Sequence, residues 1–386
     1  MKSLRRFKHL TGNRKIKVWV LAPYLKTDDE QLKYYYDFSQ SIAEYTRVFE
    51  KLKLDWHWQP VAMDDYQDII RDIQSENIQG KFFPVVLNLC DGDEINGCPG
   101  VSVVKVLELS GLVYTGADSY FYDITTSKVS MKKAFDAHKV SNAPWKEIKE
   151  SNPSPAGIFK RLGNPLIVKP AVSGGSLGVG IKNVVSTPSE MKEEVKKLFN
   201  GYRGWEFGTG GVIAEQFITG PEFTTLVVGS NDAPDQMIYY TPVERVFHAS
   251  LPEKEKFLSY ERLWEIYEHE ECMPLQGNFY EYKVPAEDLH AEIERITRAS
   301  YIAVKGTGYG RVDIRMDQHT GKMYVLEVNA QCGLSEDENF TSIGAILRYS
   351  NKSFDQLILE ILTDAMEKTT KKEWVLADRE VQYNSI

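Results

Sequence analysis

Apolar positions recur along the chain in two rhythms, and their alternation predicts an α/β (α+β) fold. Lys15 to Ala22 is a short apolar run ending at Pro23, the pattern of a strand buried on both faces. From Tyr34 to Leu52, the residues Phe38, Ile42, Tyr45, Val48, Phe49 and Leu52 fall at helical spacing, with Tyr34, Tyr35 and Tyr36 read as helix packing. A second apolar run, Phe82 to Leu89, follows Ile69, Ile70 and Ile73. Strand, helix and strand in that order predict a parallel sheet with crossover helices, a Rossmann-like domain over residues 1–125. Its second predicted strand ends at Leu89-Cys90-Asp91-Gly92-Asp93, and loops at the carboxyl ends of such strands form the binding crevice. Asp91, Asp93 and Glu94 are therefore candidates for holding the amino group of the first substrate, weighed against plain solvated loop acids.

Val101 to Leu109 reads as a helix closed by Gly111, then a short strand Val113 to Thr115 and a lysine-rich helix Thr125 to His138. Asn152-Pro153-Ser154-Pro155 breaks the chain before a strand from Pro165 to Lys169. Residues 126–217 are expected to form a small central domain and 218–367 a strand-rich, then helical, third domain. Residues 368–386 read as a polar, loosely held tail.

The segment Arg311-Val-Asp-Ile-Arg-Met-Asp317 alternates polar with apolar residues, a turn follows, and Met323-Tyr-Val-Leu-Glu-Val-Asn329 returns. If a five-residue loop pairs Asp317 with Met323, Asp313 faces Glu327 and Arg311 faces Asn329. Directly opposed Cβ atoms lie about 4.5–5.5 Å apart, so two carboxylates there repel and call for a cation. Asp313, Glu327 and Asn329 offer oxygen only, which suits Mg²⁺ and argues against zinc. Arg311 stays charged and could stabilise developing negative charge. The plain alternative is a surface hairpin in which Asp313 pairs with Arg311 or Arg315.

Leu166-Ile-Val-Lys169-Pro170 leads into Ser173-Gly-Gly-Ser-Leu-Gly-Val-Gly180, glycine-rich enough for backbone N–H groups to approach an anion, though neither a Walker A loop nor a dinucleotide fingerprint. Gly174, Gly175, Ser176 and Gly178 fit a hairpin tip over phosphates, weighed against a plain glycine-rich turn, and Lys169, among apolar neighbours, needs an anion that a phosphate would supply. The strand Val212 to Ile218 stops at Thr219-Gly-Pro and restarts at Glu222. Its irregular backbone at Glu215, Gln216, Phe217 and Ile218 could meet a purine edge, with Glu222 accepting from ribose, weighed against a plain edge strand.

Composition narrows the function classes. The chain has 386 residues, 42% apolar and 26% charged, with net charge −9, so it is globular and has no bulk field for nucleic acid. Four cysteines without a CxxC pair read as reduced thiols in a cytoplasmic protein. No run reaches the roughly 18 apolar residues of a membrane span. The basic first 27 residues are read as a solvated leader in preference to a transit peptide. His269 with Glu270, Glu271 and Cys272 reads as an acidic lid in preference to a transition-metal site.

Taken in order, Pro99-Gly100-Val101, Tyr114-Thr115-Gly116, Ser127-Lys128, Ile167 to Pro170 with the glycine loop, Glu215 to Phe223, Gly310 to Asp313 and Leu326 to Asn329 resemble the ATP-grasp superfamily, most closely its D-alanine-D-alanine ligase branch. The resemblance covers about residues 85 to 362. It implies an ATP-grasp fold of three domains with ATP between the second and third. The implied reaction joins a small-molecule carboxylate to an amine through an acyl phosphate, releasing ADP and phosphate. It further implies that Lys128 and Lys169 contact phosphates, that Glu215 to Ile218 form the adenine linker, and that Glu222 binds ribose. By the same resemblance Asp313, Glu327 and Asn329 ligate two Mg²⁺ ions, for which Mn²⁺ can substitute, and Arg311 steadies the acyl phosphate. Homodimers are frequent among such ligases. An ATP-grasp kinase stopping at phosphoryl transfer, or a regulatory nucleotide binder without turnover, are the alternatives.

The departures from the family concern substrate. The family's active-site serine falls at Gly175, with Ser176 next to it as the catalytic candidate. Its Lys-Tyr lid pair aligns to Leu263-Trp264. Near Gly333, which follows Cys332 in a tight turn, the serine expected to bind the second substrate's carboxylate falls at Glu338. A carboxylate does not bind a carboxylate, so a different amine acceptor is expected, one that is cationic or lacks a free carboxylate there.

Overall fold

The computed structural model describes residues 2–27, 37–202, 204–265, 267–271, 278–339 and 341–383. Tyr34, Tyr35, Tyr36 and Cys272 lie outside them. The N-terminal sheet is parallel, in the order β2-β1-β3-β4, with β1 at Ile16–Pro23, β2 at Asp55–Val61, β3 at Phe83–Asn88 and β4 at Val113–Tyr114. All six residues of β3 are buried, as a continuous apolar run between two neighbours requires. The strand β2 escapes the apolar-run criterion. It sits at the sheet edge, where exposed Asp55 and His57 alternate with half-buried Trp56 and Trp58, and where Pro60 is tolerated. What reads in sequence as the second strand is thus the third.

Two antiparallel sheets follow. The central one runs β5-β8-β6-β7, from Trp145–Ile148 (β5), Leu166–Pro170 (β6), Val184–Val185 (β7) and Val212–Gln216 (β8). Helix Pro188–Asn200 seals one face, placing Met191, Val195 and Leu198 against Ile148, Leu166 and Val168. The third sheet runs β12-β11-β9-β13-β14, with β10 also on β9. These strands are Glu222–Val228 (β9), Ile238–Tyr239 (β10), Val243–Phe247 (β11), Tyr280–Lys283 (β12), Tyr309–Met316 (β13) and Met323–Ala330 (β14). The predicted lysine-rich helix is two helices, because Ser127 leaves the helical path to bridge Val172 and caps Lys128–Ala137 through Ser130 N.

Both ends of the chain differ from expectation. Leu4 and Phe7 are buried in the cluster that contains Val18 and Val20, and Arg6 pairs with Glu367, so the start is not a solvated leader. The expected tail continues helix Phe354–Tyr383, in which Lys368 Nζ donates to Gly116 O at 3.1 Å.

One side chain ties the first sheet to the third. Gln331, 2% exposed, donates to Asn88 O (2.7 Å) and accepts from Ala117 N (2.7 Å). Gly116, at φ 87°, lies so close beneath it that a Cβ would overlap the amide. Gly116→Ala is therefore expected to cost about 1–3 kcal/mol of unfolding free energy in urea titration.

Candidate active site

The paired strands β13 and β14 bring the acidic residues together. Arg311 pairs with Asn329 and Asp313 with Glu327, as the hairpin reading expects, although the turn end does not follow it. Met316, not Asp317, pairs with Met323, and a bulge between Asp313 and Ile314 restores the register. One residue of β14, Leu326, is absorbed there.

Asp313 is buried and its oxygens are well served. Thr224 Oγ1 donates to Oδ1 at 2.6 Å, Asn329 Nδ2 to Oδ2 at 3.0 Å, and Arg311 Nη2 to Oδ2 at 2.9 Å. Burial pushes its carboxyl up, but the Arg311 guanidinium outweighs this and holds it below the usual carboxylate range. The hairpin is thus not a surface one, and the first cation on Asp313 is Arg311. Glu327 remains half-buried, with Asn329 Nδ2 at 3.4 Å from Oε1.

Among the described residues no group of three or more His, Cys, Asp or Glu side chains is placed to hold a metal ion. Two carboxylates and an amide oxygen nevertheless fit Mg²⁺, which takes one or two protein carboxylates and completes its octahedron with phosphates and water. His269 Nδ1 lies 2.9 Å from Glu261 Oε1, while Glu270 accepts from Ile181 N at 2.8 Å, so this acidic segment is a latch on the glycine loop.

Facing the hairpin are the lysines. Lys128 begins its helix with Nζ near Ser173 O (3.1 Å) and Ser173 Oγ (3.3 Å), and burial pulls its pKa down against the opposing pull of Glu327. A buried ammonium met, among the described residues, by neutral oxygens favours an anion beside it. Lys169 differs from expectation, since its partner is Glu215 at 2.6 Å. The other oxygen of Glu215 meets Lys132 at 2.5 Å, and Lys132 is 1% exposed. Burial opposes ionisation of Glu215, yet Lys132 and Lys169 together pull its pKa down to about 2. Glu215 therefore serves the lysines through its side chain, while its backbone is paired into the sheet between Trp145 and Ile167.

Glu222 is likewise taken up. Arg245 holds one oxygen and Arg315 the other. Arg315 also donates to Ile218 O (3.3 Å) and Lys256 O (2.8 Å) and lies over the Phe217 ring. Gln216 N and Phe217 N are paired to Pro144 O and Pro165 O. Lys132 and Arg245 went unmarked in sequence, and Arg315 was marked only as a possible partner of Asp313. Only Arg315 carried a signal, its place on the Arg311 and Asp313 face of β13.

In the glycine loop, Gly175 and Ser176 take positive φ (53° and 60°). Ser176 Oγ donates to Leu258 O at 3.0 Å and Trp264 Nε1 to Gly175 O at 3.0 Å, so the loop and the lid hold one another. Gly174 and Gly175 join Asp91, Asp93 and Gly333 around a cleft of ≈ 230 Å³, whereas Gly178 faces a separate cavity of ≈ 950 Å³. Glu94 caps helix Val101–Ser110, accepting from Ser102 N at 2.6 Å and Gly100 N at 3.2 Å, which removes it from substrate binding. Asp93 accepts from Asn96 N at 3.1 Å and stays on the cleft wall. Glu338 is outside that wall and exposed, 3.9 Å from Arg348 Nη1.

Two antiparallel sheets, the central one with its buried lysines and the third with its carboxylate hairpin, are the arrangement of an ATP-grasp enzyme. A family model described as the D-ala D-ala ligase C-terminus matches residues 135–363, and the chain belongs to that family, as an ATP-dependent, ADP-forming carboxylate–amine ligase. It is 26% identical to a D-alanine–D-alanine ligase of Pseudoalteromonas translucida over 268 residues, 69% of this chain and 75% of that protein. With a Clostridium beijerinckii protein of the same description it shares 24% identity over 323 residues, 80% of this chain and 94% of that one. Among solved structures, a Bacillus anthracis D-alanine–D-alanine ligase complexed with ATP superposes with TM-score 0.62 at 17% identity, covering 93% and 99% of the two chains. The VanG D-Ala:D-Ser ligase of Enterococcus faecalis gives 0.63 at 16%, covering 92% and 99%. No helix among the described residues is long and apolar enough to cross a membrane.

Proposed function

We propose that the protein joins the carboxylate of an amino acid to an amine other than D-alanine, through an acyl phosphate, with ATP and two Mg²⁺ ions. The carrying observation is that Lys128, a buried ammonium whose hydrogen-bond partners among the described residues are neutral oxygens, is drawn by the opposite charge of Glu327. Phosphates between them would be met by Lys128 and Lys169. The adenine would lie along the backbone of Glu215 to Ile218 and the ribose against Glu222. Bound to Asp313, Glu327 and Asn329, Mg²⁺ would neutralise phosphate charge and polarise the γ-phosphate, and Mn²⁺ would substitute. Arg311 lies beside these ligands, able to steady the charge of the acyl phosphate and of the tetrahedral adduct as the amine attacks.

Support for a different acceptor is the sequence position of Glu338, a glutamate where the family offers a serine. The division proposed is 1–125, 126–217 and 218–367, in a cytoplasmic homodimer that sedimentation of the purified chain tests. Screening carboxylic acid and amine pairs for ADP release, with product mass measured, tests the reaction. Phosphate release that ignored the amine, or efficient D-alanyl-D-alanine synthesis, would sink it. Lys128→Ala is expected to raise KM for ATP about 10- to 100-fold in steady-state assays, the loss of one charge-assisted bond.

A further inference from the structure

The cleft of ≈ 230 Å³ beside the glycine loop has walls of uneven chemistry. Asp91 and Asp93 line it, as do the aromatic side chains of Phe38, Tyr45, Trp205 and Trp264, and among its described lining residues there is no Lys, Arg or His. Asp91 is exposed to the cleft and has no Lys or Arg partner among the described residues. Tyr45 adds an independent observation. Its side chain is fully buried, packed by Phe49 and Phe354, and its hydroxyl has no hydrogen-bond partner among the described residues. A buried hydroxyl without a partner on a cleft wall is a binding group awaiting one.

Carboxylates attract cations, and aromatic faces add to that attraction through their quadrupoles. Neither favours a free carboxylate, which would enter without a counter-charge and against two acids.

We infer that this cleft binds a small organic ammonium that carries no free carboxylate. Asp91 and Asp93 supply the charge, Trp205 and Trp264 the apolar faces, and Tyr45 the hydrogen bond. The inference deepens the proposed reaction by naming the class of its amine co-substrate, and it rests on that reading for the cleft's part in turnover. Because Trp264 also holds Gly175 O, the lid that closes the cleft is tied to the loop beside the phosphates.

Calorimetric titration of the full chain with D-alaninamide and with D-alanine, in the presence of ADP and Mg²⁺, compares two molecules that differ in the carboxylate alone. D-Alaninamide is expected to bind at least about tenfold more tightly, one charge-assisted contact being enough for that ratio. Asp91→Asn should weaken D-alaninamide by about tenfold and leave D-alanine no weaker, and Tyr45→Phe should weaken D-alaninamide alone. A merely structural role would move both ligands together. Equal or tighter binding of D-alanine, or a ratio unchanged in Asp91→Asn, would overturn the inference. Hydroxylamine trapping of the acyl phosphate reports on the ligase reading separately, so either can fail without the other.

Discussion

Glu327→Gln is expected to lower turnover by about 10²- to 10³-fold while the unfolding midpoint stays close to that of the unaltered protein. Glu327 is half-buried, and among the described residues its one hydrogen bond is a long 3.4 Å contact from Asn329. Little of the fold depends on its charge. The amide keeps the shape and removes the charge facing Lys128, so a metal held by Asp313 and Asn329 would lose its second anionic ligand. Asp313 makes a poorer test, since Arg311 and Thr224 both rest on it and its loss would disturb the sheet. Raising Mg²⁺ should partly restore Glu327→Gln. Unchanged kcat in this variant would remove the metal assignment.

Glu215→Leu is expected to cost about 3–5 kcal/mol of stability, measured by urea unfolding, because it strands two ammonium groups in the core of the central sheet. The same carboxylate makes stability depend on pH. Its folded pKa, about 2, lies below its ordinary value of 4.5. The unfolded state therefore binds the proton more readily. The contribution of Glu215 is fully present above about pH 4.5 and is lost as pH falls towards about 2. Unfolding curves of the native protein between those limits should show this slope, and Glu215→Leu should flatten it. An unaltered slope would mean that the carboxylate is not ionised between Lys132 and Lys169.

This triad also bears on ATP binding. With Lys132 fixed to one oxygen, Lys169 can turn towards a phosphate without leaving Glu215 unpaired, which a single lysine could not do at that depth.

Much of this was legible in the chain. The apolar runs of β1 and β3 mark buried strands because both faces of a parallel sheet are covered, so hydrophobicity there is local and continuous. The opposition of Asp313 and Glu327 follows from a period of two and a short turn. The edge strand β2 did not show, since an edge carries polar residues and a proline that a run of apolar residues excludes. Leu4 and Phe7 did not show either, because two apolar residues among basic ones carry no period.

By itself the chain determined which elements form, the ordered motifs that mark an ATP-grasp ligase and the pairing of the acidic hairpin, all of which depend on neighbours in sequence or on one turn. Only the tertiary structure decided whom each buried charge answers to. Glu215 with Lys132, Glu222 with Arg245 and Arg315, Glu94 with Ser102, and Ser176 with the lid are partnerships of which most join separate segments. A buried charge takes its partner from whatever the fold brings within a few ångströms, and the local pattern of residues carries no record of that choice.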